Sequence, residues 1–291
     1  MTRLHYGTAY NANVRFSVIN STELVKETIR KHNLSLLPAI ALGRAITGVS
    51  LVLPWLSINE TWTLLIEGKG VLKKIASQVR ASGRVRGYVI PKNLELPPEH
   101  KFNSLKEVIG KGTLKVIRDL GLKNPYISSV PLKTGEIAED LAYYFTISEQ
   151  IPTAISLGLS FDESGNITNS GGLIIQILNG SIDDKIVTEI EKRFTKINPI
   201  TKALYENSPI EVLKYVFENN LEEVLTTEVS FSCDCTQSKA INSLKVLPEK
   251  ELNFLIQKGE AEVICKWCNT KYTFKKDELR KILNEKQEEK L

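Results

Sequence analysis

The sequence predicts an α+β fold in three parts: an N-terminal domain of mixed sheet and helix (1–178), a helical linker (179–229) and a small C-terminal four-cysteine zinc-binding domain (230–291). Three observations point to it. Strand and helix signals are mixed, without the regular alternation of a parallel α/β fold, up to about residue 178. Helical signals dominate from Ser181 onward. All four cysteines of the 291-residue chain, Cys233, Cys235, Cys265 and Cys268, lie beyond position 230.

Val14, Phe16 and Val18 alternate with polar neighbours, the pattern of a half-buried strand. Asn20 ahead of STELVKETIRKH, with Glu23 in the first turn, is an N-cap signature. An apolar helix follows from Pro38, tolerated in a first turn, to about Val52, and Pro54 stops it. TWTLLIEG and RVRGYVI are strands, punctuated by Gly68, Gly70, Gly83 and Gly87. Beyond a turn at Pro97 and Pro98, GTLKVIRDLG and PYISSVPL are further strands. In TGEIAEDLAYYFTISEQI, Ile137, Leu141, Tyr144 and Phe145 share one face, which makes an amphipathic helix packed on a sheet. LSFDESGNITNSGGLIIQIL is a hairpin with a glycine-punctuated return.

In the linker, Ile186, Ile190 and Phe194 recur at spacing four. SPIE at 208–211 is a capping box with Pro209 at the first helical position, where its missing N–H does no harm. These helices are short and carry narrow apolar stripes. Alone in water such helices are marginal, so the segment must lean on its neighbours. The tail begins near Val229 with a strand into Cys233, then a helix near Lys250 to Gln257, a hairpin over AEVICKWCNTKYTF and a charged final helix.

Composition narrows the function classes. With 42% apolar and 25% charged residues, neither a disordered nor a fibrous chain is indicated. A net charge of +4 does not point to nucleic acid or membrane as a bulk electrostatic partner. MTRLHYGTAYNANVRF lacks the apolar run of a signal peptide, and no stretch approaches eighteen uninterrupted apolar residues, so no membrane partner is expected and the expected location is the cytoplasm. KDEL at 276–279 is internal and cannot act as a C-terminal address. Because a cytosol keeps thiols reduced, a tight cysteine cluster there indicates metal or redox chemistry before a structural staple.

The cysteines are spaced as C-x-C at 233–235 and C-x-x-C at 265–268. Four thiolates around zinc form a closed, tetrahedral site of the structural kind. The histidines, His5, His32 and His100, are remote in sequence, so no hydrolytic zinc is in view. The plain alternative is a zinc ribbon that only folds the tail. A metal-free redox dithiol is a second, but ICKWC does not open a helix in a βαβ unit and leaves C-x-C unexplained. Each pair can also close a disulfide, since residues so near in a turn can reach the required Cα separation. Lys266, inside the second pair, and Lys239 and Lys271, near by, would favour thiolates. Oxidation to two cystines would eject the ion, and structural zinc contributes roughly 10 to 16 kcal/mol to small zinc-dependent folds.

FSCDC with ICKWC, the run GKGTLKVIRDLG, the stretch GEIAEDLAYYFTISEQIP and SGGLIIQIL together resemble the redox-regulated 33-kilodalton heat-shock chaperones, over nearly the whole chain. The resemblance implies an ATP-independent holdase of the bacterial cytoplasm, inactive when reduced with one zinc held by Cys233, Cys235, Cys265 and Cys268. It further implies that oxidation, especially with heat, joins Cys233 with Cys235 and Cys265 with Cys268. Zinc then leaves, the tail unfolds, the linker loosens, and exposed apolar surface binds unfolded or oxidatively damaged client proteins. The active form implied is a homodimer, and the protein is not an enzyme. Ile186, Ile190, Phe194, Leu213, Val216 and Phe217 are apolar faces that need cover; they are core residues first, and no client-binding residue is assigned.

Other signals carry less. GKGT at 110–113 lacks the remainder of a phosphate loop and is a turn before a strand. The basic stretch of Lys73, Lys74, Arg80, Arg84 and Arg86 is a solvated strand face before it is a phosphate site. No G-x-S-x-G occurs, and nucleophilic catalysis has no support. The competing function is a zinc-ribbon nucleic-acid binder using Trp267, Tyr272 and Phe274 beside Lys266, Lys271, Lys275 and Lys276, though those aromatics are expected to form the core of the knuckle.

Overall fold

The computed structural model describes residues 2–94, 104–178 and 182–288, and the chain divides between Ser232 and Cys233 into two compact units. The turn expected at Pro97 and Pro98, His100 and the start of the linker at 179–181 lie outside the described residues.

In chain order the first unit runs β1 (Thr2–Ala9), β2 (Val14–Asn20), α1 (Thr22–His32), α2 (Leu36–Val52), β3 (Thr61–Gly68), β4 (Lys74–Arg80) and β5 (Arg84–Ile90). It continues with α3 (Leu105–Ile109), β6 (Gly112–Asp119), β7 (Tyr126–Pro131), α4 (Ile137–Ser148), β8 (Thr153–Phe161) and β9 (Ile167–Ile177). Last come α5 (Asp184–Lys196), α6 (Ile200–Glu206), α7 (Pro209–Phe217) and β10 (Leu221–Phe231). The strands form one sheet in the order β7-β6-β3-β4-β5-β10-β1-β2-β9-β8. Pairing is antiparallel except where the end of β10 meets β5, with Ser230 opposite Arg84 and Phe231 opposite Val85.

One face of the sheet packs on α2, whose Leu42, Ile46 and Val49 are fully buried among Leu64, Val79, Val85, Leu141 and Tyr144. α2 with the turn after it is apolar and long enough to cross a membrane, yet 83% of that window is buried within the fold, which makes it a core helix. The helix opens at Leu36, ahead of the expected Pro38, and a 3-10 turn over Leu53–Trp55 closes it at the expected proline. The face expected on α4 is present: Ile137, Leu141, Tyr144 and Phe145 are all buried.

The opposite face of β2 and β9 is covered by the linker helices. Phe16, Val18, Leu173 and Ile175 form a second core with Ile190, Leu204, Leu213, Val216 and Phe217. Ile186 and Phe194 pack against it, half-buried. β2 is therefore buried on both faces, which its alternation did not reveal: Ile19 belongs to the α2 side, and Ser17 sits there only because its hydroxyl donates to Leu51 O at 2.5 Å. Burying each large apolar side chain here contributes about 1.5–3 kcal/mol. Gly158 and Gly171 are paired in register beneath α6. A Cβ at Gly158 would lie 2.5 Å from Thr201 Cγ2, and one at Gly171 2.3 Å from Leu204 Cδ1, so the bare backbone is what lets the helix lie flat.

The helix starts follow local chemistry. α7 carries the full capping box, with Glu211 N donating to Ser208 Oγ and Ser208 N to Glu211 Oε2 at 2.7 Å. At α1 the N-cap is Ser21, not Asn20, and its hydroxyl does not cap; it bonds Thr47 and Ser170 in the core. Asn20 Oδ1 accepts from Thr22 N instead.

The linker segment differs from expectation at its end. Residues 221–231, expected to finish a helical stretch and begin a separate tail strand, form one strand that lies between β5 and β1 of the large sheet. Val224, Thr226, Thr227 and Val229 are β-branched and suit a sheet. β1, β4, α3 and the tail helix near Gln237 are further elements that the sequence pattern did not expose.

Candidate metal centre

The second unit contains α8 (Gln237–Lys245), α9 (Glu249–Lys258), β11 (Glu260–Ile264), β12 (Lys271–Lys275) and α10 (Lys276–Glu288). Among the described residues its core is eight buried apolar side chains, Phe274, Leu252 and Leu279 the most enclosed. A core that small leaves such a unit marginal without a staple.

Each half of the site is shaped locally. On the first half, Thr236 accepts from Lys239 N to start α8 directly after the C-x-C segment, and Lys239 Nζ donates to Asp234 O at 2.7 Å. On the second, α9 ends on Gly259 at φ 94°, and β11 delivers the chain to a tight turn. There Cys265 N donates to Thr270 O at 2.9 Å and Asn269 N to Cys265 O at 2.8 Å, with Asn269 at φ 61°. Both sulfurs of C-x-x-C are thereby turned to one side.

The four Sγ atoms lie within 4.8 Å of one another, and none is in a disulfide. Cys233 and Cys265 sulfurs are 3.8 Å apart, and those of Cys235 and Cys268 3.3 Å. A tetrahedron with Zn–S bonds of about 2.3 Å has sulfur–sulfur edges of about 3.8 Å. The cluster therefore fits one zinc ion with no open position, and its soft all-sulfur donor set suits zinc over hard cations.

Burial and the hydroxyl of Tyr272 act on these sulfurs in opposite directions. Burial pushes the Cys235 thiol up, but the Tyr272 hydroxyl and the neighbouring sulfurs outweigh it and hold Cys235 down at about 7. Burial drives Cys265 up to about 12 and raises Cys268 as well. Burial opposes ionisation of Cys265 and Cys268, and a divalent ion would offset that cost, because a coordinated thiol is deprotonated outright.

Sequence reasoning named all four cysteines and expected Lys239, Lys266 and Lys271 to favour their thiolates. Lys239 is bonded to Asp234 O, and Lys271 pairs with Glu262 at 2.9 Å. The group that reaches a sulfur is Tyr272, whose hydroxyl donates to Cys235 Sγ at 3.2 Å, while Cys268 Sγ lies 3.2 Å from Thr270 Oγ1. The nucleic-acid reading loses ground: Phe274 is fully buried, and Lys275 pairs with Glu260 at 2.6 Å. In the first unit, Lys74 and Lys115 both bond Glu67, and Gly110 and Lys111 lead from α3 into β6, which already includes Gly112 and Thr113.

The pattern of the Hsp33 protein family matches residues 2–275. The chain belongs to the Hsp33 family. The 33 kDa chaperonin of Thermosipho melanesiensis is 52% identical, with 96% of this chain and 98% of that one aligned. Those of Thermotoga maritima and Clostridium botulinum strain 657 are 44% and 39% identical, covering 96% and 94% of this chain and 97% and 95% of theirs. The crystal structure of the Thermotoga maritima 33 kDa chaperonin superposes with a TM-score of 0.94 at 43% identity, over 99% of each chain. Hsp33 membership places this chain among the heat-shock chaperones, with an α+β architecture carrying a four-cysteine cluster near its C-terminus.

Proposed function

We propose that this Hsp33 protein is a redox-regulated, ATP-independent holdase of the cytoplasm, and that its switch is the cysteine cluster. The observation that carries the reading is four unbridged sulfurs within 4.8 Å of one another in a unit with so small a core. In the reduced state Cys233, Cys235, Cys265 and Cys268 hold one zinc ion, which supplies the crosslink between the two halves of the unit. Oxidation joins Cys233 with Cys235 and Cys265 with Cys268, and the sulfurs can no longer serve as four thiolate ligands. The tail, residues 230–291, then loses the greater part of its stabilisation.

The effect on the rest of the chain follows from covalent continuity. β10 runs to Phe231, one residue before the division between the units, and α5 to α7 precede it. These helices form the metastable linker of the proposal, 179–229, and they shield Phe16, Val18, Leu173 and Ile175. Loosening them uncovers a contiguous apolar face, the kind of surface that binds unfolded chains. The N-terminal part, 1–178, carries that face and the dimer contact of the active form.

The experiment is oxidation of the reduced, zinc-loaded protein by peroxide at raised temperature. Zinc release, a mass loss of four hydrogens per chain and suppressed aggregation of a denatured client are expected together. Zinc release with client aggregation unchanged overturns the reading.

A further inference from the structure

The Tyr272 hydroxyl bond to Cys235 spans 37 positions of sequence. It runs from β12, beyond the C-x-x-C turn, back to the C-x-C segment, and so joins the halves of the site by a route that does not pass through a metal. The ring is fixed from two sides. Tyr272 stands opposite Val263 across the hairpin and packs on the small core that Phe274 anchors. Its hydroxyl is thus held at a ligand sulfur by the strand that the second cysteine pair launches.

We propose that Tyr272 is a positioning residue of the switch: its hydroxyl holds the Cys235 sulfur in the ligand set and sets the oxidant dose at which C-x-C closes. The proposal rests on the redox reading above. A hydrogen bond to an ionised acceptor is among the strong ones, and it draws electron density from the sulfur that an oxidant must meet. Groups that orient metal ligands from behind also raise metal affinity, typically by about 10- to 100-fold. With peroxide, one thiolate sulfur attacks the O–O bond, forming S–O and releasing hydroxide. The partner thiolate attacks that sulfur, forming S–S and releasing a second hydroxide. Two electrons pass from the thiolate pair to peroxide, and the two hydroxides take up protons as water. Tyr272 slows the first step at Cys235 by keeping its lone pairs engaged.

The test is Tyr272→Phe in the full chain, which keeps the ring and its packing and removes the donor. Three readouts apply. Zinc affinity by competition with a chromophoric chelator is expected to fall about tenfold. Zinc release under limiting peroxide is expected to speed up several-fold. In cobalt-substituted protein the sulfur-to-metal charge-transfer band is expected to move to longer wavelength, a shift that loss of packing alone does not produce. Fluorotyrosine placed at 272 strengthens the donor and should move affinity and band the opposite way, which keeps the test open should the phenylalanine variant fold poorly. An unmoved band with unchanged affinity and release rate overturns the proposal. Should the wild type itself keep zinc under peroxide, the redox reading fails, and the band and the competition still decide whether Tyr272 holds Cys235.

Discussion

In the first unit, α2 buries Leu42, Ile46 and Val49 completely against a sheet of ten strands, and a second core closes the other face of β2 and β9. In the second, the described core is eight apolar side chains, two of them alanine, beside four sulfurs. Apolar burial of about 25 cal/mol per Å² accumulates over many more side chains in the former, and under the proposed function metal binding supplies folding energy to the latter. On that proposal the chain joins a part that depends on packing to one that depends on the pairing of its thiols.

The largest effect that can break this contrast is removal of the ligand set. Cys268→Ser, or a strong chelator on the wild type, is expected to abolish stoichiometric zinc. It should collapse the amide signals of residues 233–288 while those of α2 and the core beneath it stay in place. A dispersed spectrum for the tail in the metal-free protein would show that its own core suffices and would remove the basis of the contrast.

Within the first unit the contrast sharpens again, between the two covers of β2 and β9. α2 is a long helix buried on all sides, whereas α6 has seven residues and rests on a glycine pair. Gly158→Ala places a methyl against Thr201 Cγ2 at 2.5 Å and Ile200 Cγ2 at 3.2 Å, both on α6. Overpacking of this kind costs about 1–3 kcal/mol. Hydrogen exchange should show lost protection in α6 with none in α2, and client aggregation should be partly suppressed without oxidant. Equal loss in both helices would mean that the linker cover is no weaker than the core helix.

What the sequence made legible follows from the range of the interactions. The capping box of Ser208 and Glu211, the apolar face of α4 and the four cysteines are local patterns, and each stands in the structure where its spacing placed it. β10 was missed because its partners, β1 and β5, are distant in sequence: Thr2 faces Val229 and Arg84 faces Ser230. The same reason hid the bond of Tyr272, expected only as a stacking or core aromatic, to a sulfur 37 residues away, while Lys239 and Lys271 drew attention and are bonded to Asp234 O and Glu262. Glu60 is the sharpest case. It is fully buried, accepts from Arg118 Nε at 2.7 Å and from Ser57 N at 2.9 Å, and nothing in its neighbours along the chain announces it.

The smallest expected effect bears on the linker's own local order. Ser208 caps α7, the nine-residue helix that carries Leu213, Val216 and Phe217 into the second core. Ser208→Ala removes the acceptor for Glu211 N and leaves Glu211 Oε2 its backbone partner at Ser208 N, so half of the box survives. A lost cap of this kind costs about 1 kcal/mol. Because the cost falls on a helix whose burial against β1 and β2 is intact, the midpoint of global unfolding should move by only a few degrees. The oxidant dose for client protection should fall in the same direction as for Gly158→Ala, and by less. A larger shift from Ser208→Ala than from Gly158→Ala would place the weak point of the linker at the start of α7, not at the seat of α6.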